Sequence, residues 1–366
     1  MNLTIASICL LLLAVVGCVM VQTTEMINYN EPILPEDFQP LIGPGFAVKY
    51  FTKDTKEPIE NYNERNMQDI YDAGFRNVRL RCSAKPSMYP YPYNTLNFTT
   101  RFLDNLEKVV DKCLEVGIVP IISWANTLAS NNATEDDQDN YVTWWTKVAK
   151  RLITKDYRCV FNLFTELLSA HCKKIEGCNI NGTLHNNITK YLNWTSRVIK
   201  AIRGTGGNNK NRILILGSPK KGAWGCPMIE KYIYENDNYL MLEHHHYASG
   251  PIKKATSGRY WTGNGTEEQR KLVIEELEMA KENCTLKSYW GAWAAYDIKE
   301  KAISQYESES FSKYFVSMLK NYSVPWSLNA LDMFYDTKTA TWRTEIQEEK
   351  GGLNMSKILD VIKKNM

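Results

Sequence analysis

The chain has 366 residues, of which 44% are hydrophobic and 23% charged, and its formal net charge at pH 7 is +3. Because this net charge is small and no basic stripe is interleaved with aromatic residues, we expect no nucleic acid among the partners of the protein. The length suits either two ordinary domains or one large α/β barrel.

The chain begins with an apolar segment, residues 1–21, that is typical of a secretory signal peptide. An apolar run from Ile5 to Val16 is followed by small residues and then by polar ones. A retained membrane anchor is the alternative, but it would need a longer span. We therefore expect a secreted, extracellular protein without membrane association after signal cleavage. The following residues, 22–44, are polar and contain prolines, which predicts an extended lead-in.

Nine Asn-X-Ser/Thr sequons follow the predicted signal peptide. One sequon means little, but so many behind a signal peptide indicate a glycoprotein from an oxidising compartment. The predicted glycosylation sites are Asn97, Asn132, Asn181, Asn187, Asn193, Asn264, Asn283, Asn321 and Asn354.

The cysteines that remain after signal cleavage are odd in number, so we expect at least one free thiol. Cys172 and Cys178 are close enough in sequence to form a disulfide that closes one loop, whereas the others cannot be paired from the sequence alone. No pair has the spacing of zinc ligands, and we expect neither a metal nor a cofactor.

Eight apolar, β-rich runs follow one another along the chain, and helical patterns lie between most of them. One helical stripe extends from Phe102 to Cys113 and ends before Gly117, and another pattern closes the chain between Gly351 and Met366. Because no long linker interrupts this alternation, we predict the α/β class and a single (β/α)8 TIM barrel over residues 45–366. The predicted strands are Gly45–Phe51, Phe75–Arg81, Ile118–Trp124, Cys159–Phe164, Arg212–Gly217, Tyr239–Tyr247, Lys287–Trp293 and Pro325–Leu331.

The fourth predicted strand is followed directly by a carboxylate, Glu166. Active sites of such barrels lie where the strands end and the loops begin. Loss of hydration at that place raises the pKa of a glutamate towards the range in which a carboxyl donates a proton. Glu166 is therefore a candidate general acid, and an ion pair with a nearby Lys or Arg is the alternative.

The region from Trp144-Trp145 to Glu166 resembles the fourth-strand region of glycoside hydrolase family 5. That family includes cellulases and mannanases, with a (β/α)8 barrel and a retaining mechanism that uses two glutamates. The resemblance extends from about Gly45 to Trp326 and implies that Glu166 is the catalytic acid/base.

Two further segments carry the same resemblance. Gly74–Leu80 resembles the second strand of the family, which implies a substrate-binding arginine at Arg79. Asn238–Ala248 resembles the sixth strand, which implies that His245 and Tyr247 bind substrate.

The geometry of a strand agrees with this assignment for the sixth strand. Residues two apart point to the same face, so His245 and Tyr247 face inward together, while His244 and His246 face the other way. The three histidines therefore cannot converge on one metal ion. For Arg79, a buried ion pair with Glu166 or Glu243 is the alternative to a binding role.

The seventh strand departs from the family where the nucleophile is expected. A retaining mechanism needs a second carboxylate about 5 Å from the first. Where the family shows Gly-Glu followed by an aromatic residue, this chain reads Gly291-Ala292-Trp293. The degenerate family positions are Ala125 in place of a histidine, Thr165 in place of an asparagine, Ala292 in place of the nucleophile and Asn329 in place of a tryptophan. Because all four converge on one pocket, we infer that site residues have been lost together.

Tryptophans at the predicted strand ends suit the binding of sugar rings, whose flat apolar faces stack on indoles. The candidates for substrate binding are Trp124, Trp293 and Trp326. Packing within the barrel wall is the alternative.

We predict a secreted, family 5-like barrel that binds β-linked glycans and whose retaining hydrolysis is degenerate or absent. The alternative is an active endo-β-glycanase of the cellulase or mannanase type, with Glu166 as acid/base and the nucleophile relocated to Glu243, Asp297 or a loop carboxylate. A third hypothesis is an extracellular structural glycoprotein. We expect a monomer whose partner is a carbohydrate.

Overall fold

Eight parallel strands form a closed barrel in which each strand pairs with the next along the chain and the eighth pairs with the first. The computed structural model describes residues 27–51, 64–83, 96–125, 132–165, 183–184, 186–219, 221–230, 237–248, 261–295, 303–344 and 352–366. The barrel strands are β1 (Pro44–Phe51), β2 (Asn77–Ser83), β3 (Val119–Ala125), β4 (Val160–Asn162), β5 (Leu214–Gly217), β6 (Leu240–Tyr247), β7 (Lys287–Ala294) and β8 (Trp326–Asn329). Each predicted run overlaps one of these strands, which confirms the single (β/α)8 barrel.

Nine α-helices and a short hairpin complete the described part of the chain. Three of the helices begin with a capping box, in which Thr134, Thr266 or Ser304 exchanges hydrogen bonds with the third helical residue. The helices are α1 (Pro35–Ile42), α2 (Glu64–Asp72), α3 (Leu96–Val116), α4 (Glu135–Arg151), α5 (Ile188–Gly204), α6 (Cys226–Glu230), α7 (Glu267–Glu282), α8 (Gln305–Asn321) and α9 (Met355–Asn365). The hairpin consists of β9 (Tyr335–Asp336) and β10 (Thr341–Trp342). The predicted C-terminal helix is confirmed as α9.

The larger apolar cluster lies between the barrel strands and the surrounding helices. Aromatic side chains fill much of this outer layer. Trp145 on α4 lies 5.4 Å from Phe161 on β4, and Phe315 on α8 lies 5.3 Å from Trp293 on β7, both measured between ring centroids. The helices are therefore attached to the barrel by packing of their apolar faces.

The smaller apolar cluster fills the amino-terminal half of the barrel interior, and α1 closes that end. Phe38 and Ile42 of α1 are buried, and Gln39 donates a hydrogen bond of 2.7 Å to the carbonyl of Ser288. Asn77 donates to the carbonyl of Ile42 at 3.1 Å, which ties the end of the helix to β2. We term this cluster the barrel floor: Phe38 and Ile42 together with Val119, Ile121, Val160, Ile213, Ile215, Met241 and Tyr289.

The helix α1 corrects the expectation of an extended lead-in for residues 35–42. Pro35 occupies the first turn, where a proline loses no intrahelical hydrogen bond, whereas Pro40 lies inside the helix, where a proline is disfavoured. Pro35, Phe38 and Ile42 are buried on one face of the helix. Burial of this face against the barrel stabilises the helix. The predicted signal peptide lies outside the described residues and stays a prediction.

One disulfide is present among the described residues, between Cys226 at the start of α6 and Cys284 just after α7. Cys82, Cys113 and Cys159 are buried and free, as expected for at least one cysteine. The pair Cys172 and Cys178 lies outside the described residues. In the described part of the chain, no helix combines the length and the apolar character that a bilayer span requires.

Most of the predicted glycosylation sites that the structure describes are accessible. Exposed side chains occur at Asn132, Asn193, Asn264, Asn283 and Asn321. Asn187 and Asn354 are partly exposed, and their side-chain oxygens cap α5 and α9. The side chains of Asn97 and Asn181 lie outside the described part of the structure. Glycosylation itself stays a prediction.

Candidate active site

Three strands bring a charged and hydrogen-bonded network into the interior of the barrel, between the floor and the carboxyl ends of the strands. Arg79 Nη2 on β2 lies 2.5 Å from Glu243 Oε1 on β6, and both side chains are buried. Arg79 Nε donates to Asn162 Oδ1 at 3.2 Å, and Asn162 Nδ2 donates to Glu243 Oε2 at 3.0 Å. We term Arg79, Asn162 and Glu243 the interior triad. Of the alternatives for Arg79, the structure thus contains the buried ion pair with Glu243.

The interior triad determines the charge of Glu243. Burial by itself disfavours the ionised carboxylate, but the charges of Arg79 and His245 and the hydrogen bond from Asn162 outweigh it, and they lower the pKa of Glu243. His245 Nε2 lies 2.9 Å from Glu243 Oε1. Glu243 is therefore ionised at neutral pH, and Arg79 supplies its countercharge.

Thr165, just after β4, extends the network towards the open end of the barrel. Its hydroxyl accepts a hydrogen bond from Arg79 and lies 2.8 Å from Ser123 Oγ on β3. Its backbone N–H donates to the carbonyl of Trp124 at 2.9 Å. The next residue, Glu166, lies outside the described residues, so its role as acid/base stays a prediction.

The inward face of β6 carries the residues that the sequence predicts. The ring centroids of His245 and Tyr247 are 6.3 Å apart, and Tyr247 also contacts Asn329 of β8. His244 and His246 project into the outer layer instead. Among the described residues, no group of His, Cys, Asp and Glu side chains is placed to hold a metal ion.

The two outward histidines have separate partners. His244 Nε2 lies 3.1 Å from Ser288 Oγ, and burial lowers the pKa of His244 to about 4. His246 Nδ1 lies 2.6 Å from Glu276 Oε2 on α7. The alternation of faces along β6 is therefore confirmed.

On β7, the position expected for the nucleophile carries no carboxylate. Ala292 is buried and pairs in register with His245. The register shifts just before this pair, at Gly291. A Cβ atom on Gly291 would lie 1.9 Å from Glu243 Oε1. The carboxylate of β6 thus occupies space beside β7 that only a glycine leaves open.

A second polar chain crosses the barrel nearer to its open end. Arg81 Nη1 donates to Asn329 Oδ1 at 3.0 Å, and Asn329 Nδ2 donates to the Tyr247 hydroxyl at 3.4 Å. Lys221, in the loop after β5, places its Nζ atom 4.7 Å from the centroid of the Tyr247 ring. We term Arg81, Lys221, Tyr247 and Asn329 the mouth residues.

The three tryptophans predicted to bind substrate do not line this interior. Trp124 packs against Tyr141 of α4 at 4.6 Å between ring centroids, and Trp293 packs against Trp326 at 5.4 Å. All three belong to the outer layer, with 5%, 0% and 4% of Trp124, Trp293 and Trp326 exposed. This corrects the expectation that they present their faces at the mouth of the barrel.

The physical reason for this correction is the alternation of side chains along a strand. Ser123, Ala292 and Ser327 are the immediate neighbours of the three tryptophans in the chain. Ser123 contacts Asn162, and Ser327 contacts Tyr289, so the inward positions belong to the neighbours. The three tryptophans therefore pack within the barrel wall, which is the alternative to substrate binding.

The four degenerate positions lie at one end of the barrel, although they come from four strands. Ala125 and Asn329 are the last residues of β3 and β8, Ala292 lies near the end of β7, and Thr165 follows β4. The sequence does not mark Arg81 or Lys221 as a site residue through any motif. Arg81 could have been found, because it stands two residues after Arg79 and therefore faces the same way.

The matches to known proteins cover most of the chain. The family model for cellulase, glycosyl hydrolase family 5, matches residues 43–330. Endoglucanase H of Acetivibrio thermocellus is 25% identical over 305 residues, which make up 80% of this chain and 30% of that relative. The chain thus spans less than a third of the length of this curated relative.

Two bacterial proteins of known structure have a similar fold. Endoglucanase Cel5A of Thermotoga maritima superposes with a TM-score of 0.67 and 18% identity, over 90% of this chain and 100% of that one. A family 5 glycoside hydrolase of Prevotella bryantii, in complex with a xyloglucan tetradecasaccharide, superposes with a TM-score of 0.69 and 15% identity, over 92% of this chain and 99% of that one. At these identities the likeness concerns the fold.

Proposed function

Because the chain belongs to glycosyl hydrolase family 5, we propose that it binds β-linked glycans at the open end of its barrel and has lost efficient retaining hydrolysis. One observation carries this proposal. The position expected for the nucleophile holds Ala292, and the carboxylate beside it, Glu243, is buried in an ion pair with Arg79.

The position of Glu243 does not suit a nucleophile that has moved from β7 to β6. Its side chain is 0% exposed, Arg79 holds one carboxylate oxygen at 2.5 Å and Asn162 holds the other at 3.0 Å. Attack on a sugar requires a carboxylate oxygen that reaches the anomeric carbon. Breaking a buried ion pair costs about 3–5 kcal/mol, and each 1.36 kcal/mol lowers the rate about tenfold. This cost favours loss of hydrolysis over relocation of the nucleophile.

The open end of the barrel retains groups suited to bind sugar hydroxyls. The Tyr247 hydroxyl, the Asn329 amide and the Thr165 hydroxyl face the interior at the carboxyl ends of three different strands. Convergent polar groups of this kind give a pocket its specificity. The solved Prevotella bryantii relative holds a xyloglucan oligosaccharide, which supports a β-linked glucan as ligand. The apolar N-terminal segment and the sequons support a secreted glycoprotein.

The test is calorimetric titration of the purified protein with cello-, manno- and xyloglucan oligosaccharides, together with an assay for new reducing ends. We expect binding without accumulation of reducing sugar. Turnover at an ordinary endoglucanase rate would favour the active endo-β-glycanase instead. If no glycan binds to a protein that melts cooperatively, the structural glycoprotein is the better hypothesis.

A matched pair of variants tests the role of the missing nucleophile. Ala292→Glu restores a carboxylate on β7 in register with His245, and we expect partial recovery of hydrolysis. Ala292→Gln has nearly the same shape without the charge and is expected to remain inactive. Recovery stays partial because Arg79 is already paired with Glu243, and adding Thr165→Asn is expected to raise it further. Equal activity in both variants would contradict the assignment of Ala292.

A further inference from the structure

We propose that Arg81 forms a subsite for an anionic substituent, a carboxylate or a sulfate ester, on the bound glycan. This inference rests on the proposed glycan binding and adds the chemical class of the ligand. It follows from a difference between two arginines of the same strand.

Arg79 and Arg81 stand two residues apart on β2 and face the same interior. Arg79 has its countercharge in Glu243 at 2.5 Å. Within the described residues, the hydrogen-bond partner of Arg81 is a neutral amide oxygen, Asn329 Oδ1 at 3.0 Å, and no carboxylate forms an ion pair with it. Arg81 Nε is buried without a hydrogen-bond partner in this part of the structure. As far as the described residues show, Arg81 thus has no countercharge and an Nε donor without an acceptor.

An arginine with a purely structural role has a different environment in this protein. Arg212, which is fully buried before β5, directs its donors to an amide oxygen and to backbone carbonyls. Its acceptors are Asn209 Oδ1 and the carbonyls of Leu152, Lys155, Asp156 and Cys159. Buried donors normally find partners in this way, since an unpaired one costs free energy. Arg79 also has one donor, Nη1, without a hydrogen-bond partner in the described residues, so it is the missing countercharge together with the unpaired Nε that distinguishes Arg81 and indicates an anionic ligand.

The chemistry of the guanidinium identifies the kind of ligand. Its donors form a planar fork that matches two oxygens of a carboxylate or sulfate, and such charge-assisted pairs are stronger than hydrogen bonds between neutral groups. Asn329 holds one end of the fork, at Nη1. Arg81 lies at the carboxyl end of its strand and is partly exposed, while its Nε atom is buried. A ligand in the barrel mouth is expected to contact the exposed part of the side chain.

The surroundings of Arg81 favour an anion as well. Lys221 is the second cation among the mouth residues, and its Nζ atom lies against the face of Tyr247. The charge of Glu243 is already neutralised by Arg79. Among the mouth residues, the two ionic side chains are therefore both cationic, and positive charge attracts an anionic ligand.

The experiment compares pairs of oligosaccharides that differ only in the anionic group. One pair is a β-linked oligomannuronate and the manno-oligosaccharide of the same length, and the other is a sulfated cello-oligosaccharide and its unsulfated parent. Calorimetry is expected to show about tenfold tighter binding of the anionic member in at least one pair. The pair that shows it tells whether the subsite takes a carboxylate or a sulfate, and added salt is expected to weaken the preference.

Three variants assign the preference to Arg81. With Arg81→Gln, the ratio of the two affinities is expected to fall to near one. Arg81→Lys keeps the charge without the fork and is expected to give an intermediate ratio. Lys271→Gln is the control, because it removes the same unit of charge from an exposed side chain on α7, and its ratio is expected to match that of the parent protein. A cooperative melt of each variant verifies folding.

The outcomes separate this inference from the proposed function. If neutral and anionic glycans bind equally well to the parent protein, the subsite is wrong while glycan binding stands. A preference that survives in Arg81→Gln also overturns it, because the anion then binds elsewhere. If the folded protein binds none of the four oligosaccharides, glycan binding fails, and the subsite fails with it.

Discussion

At the amino-terminal end of the barrel interior, Phe38 and Ile42 of α1 pack against aliphatic side chains, whereas the interior triad lies nearer the carboxyl end. The same strands supply both regions. On β6, Met241 belongs to the barrel floor and Glu243 to the triad, and on β4 the corresponding pair is Val160 and Asn162. One step of two residues along a strand therefore separates apolar packing from a charged network.

The two ends of the barrel interior therefore differ in how they tolerate amino-acid substitution. Packing in the floor is non-directional, so its free energy depends on the volume that is filled. The triad depends on matched partners, and removal of one partner leaves a buried charge. Beyond the triad, the Nε donor of Arg81 has no acceptor among the described residues, and that is the region to which we assign ligand binding. Four experiments test this division of roles.

Glu243→Gln is expected to have the largest effect on stability. It leaves the Arg79 guanidinium buried without a countercharge, and we expect a loss of about 3–5 kcal/mol in the free energy of unfolding. Chemical denaturation measures this loss. The control is Glu275→Gln on α7, whose carboxylate is 37% exposed and whose loss is expected to stay within about 0.5 kcal/mol. Equally small losses in both variants would contradict the role of the triad.

Ile42→Ala tests the floor. Ile42 is fully buried, so the cavity and the lost apolar contacts are expected to destabilise the protein by about 3 kcal/mol. Glycan affinity is expected to stay unchanged, because the mouth residues come from the other end. Ile27→Ala, at a side chain that is 43% exposed, is the control and is expected to be nearly neutral. Loss of glycan binding by folded Ile42→Ala would show that the two ends are coupled.

Gly291→Ala tests the fit between β7 and the Glu243 side chain. Since the added Cβ would lie 1.9 Å from Glu243 Oε1, we expect a loss of about 2 kcal/mol from overpacking. At Gly204, by contrast, a Cβ atom has nothing within 4 Å, so Gly204→Ala is expected to be neutral or slightly stabilising. Truncation of Glu243 to Ala is expected to reduce the cost of Gly291→Ala, and additive losses in the double variant would argue against the contact.

A change of pH is expected to have the smallest effect on the stability difference between these variants. The folded-state pKa of Glu243 is lowered, so its contribution to stability is fully present above its ordinary value of about 4.3 and is lost as the pH falls through the folded pKa. The stability difference between the parent protein and Glu243→Gln should therefore shrink below about pH 4. Denaturation curves at a series of pH values measure it. A difference that does not depend on pH would show that Glu243 is not charged in the folded protein.

His244 also makes stability fall as the pH decreases. Burial lowers its pKa to about 4, so the unfolded chain binds a proton first as the pH falls from about 6.5. The charge of Glu243 is one of the influences that raise the pKa of His244, so Glu243→Gln also lowers the His244 pKa somewhat further. Since the His244 contribution is lost mainly between about pH 6.5 and 4, the change of the stability difference below about pH 4 reports on Glu243.

The sequence by itself determined the eight strands, most of the helices between them and which residues of β6 share a face. These features depend on local periodicity, which can be read along the chain. The period of two along a strand puts His245 and Tyr247 on one face of β6, and the family resemblance implies that this face is inward. The resemblance that places Ala292 at the nucleophile position likewise rests on short segments, and the family model extends it over residues 43–330.

The tertiary structure alone decided the contacts among Arg79, Asn162 and Glu243, since their three strands meet only when the barrel closes. It also decided the faces of Trp124, Trp293 and Trp326. A strand buried on both faces carries apolar residues at successive positions, so its sequence does not tell which of two neighbours points inward. The packing of α1 against the barrel floor and the disulfide between Cys226 and Cys284 also bring distant segments of the chain together. Such long-range contacts depend on the closed barrel rather than on a local sequence pattern.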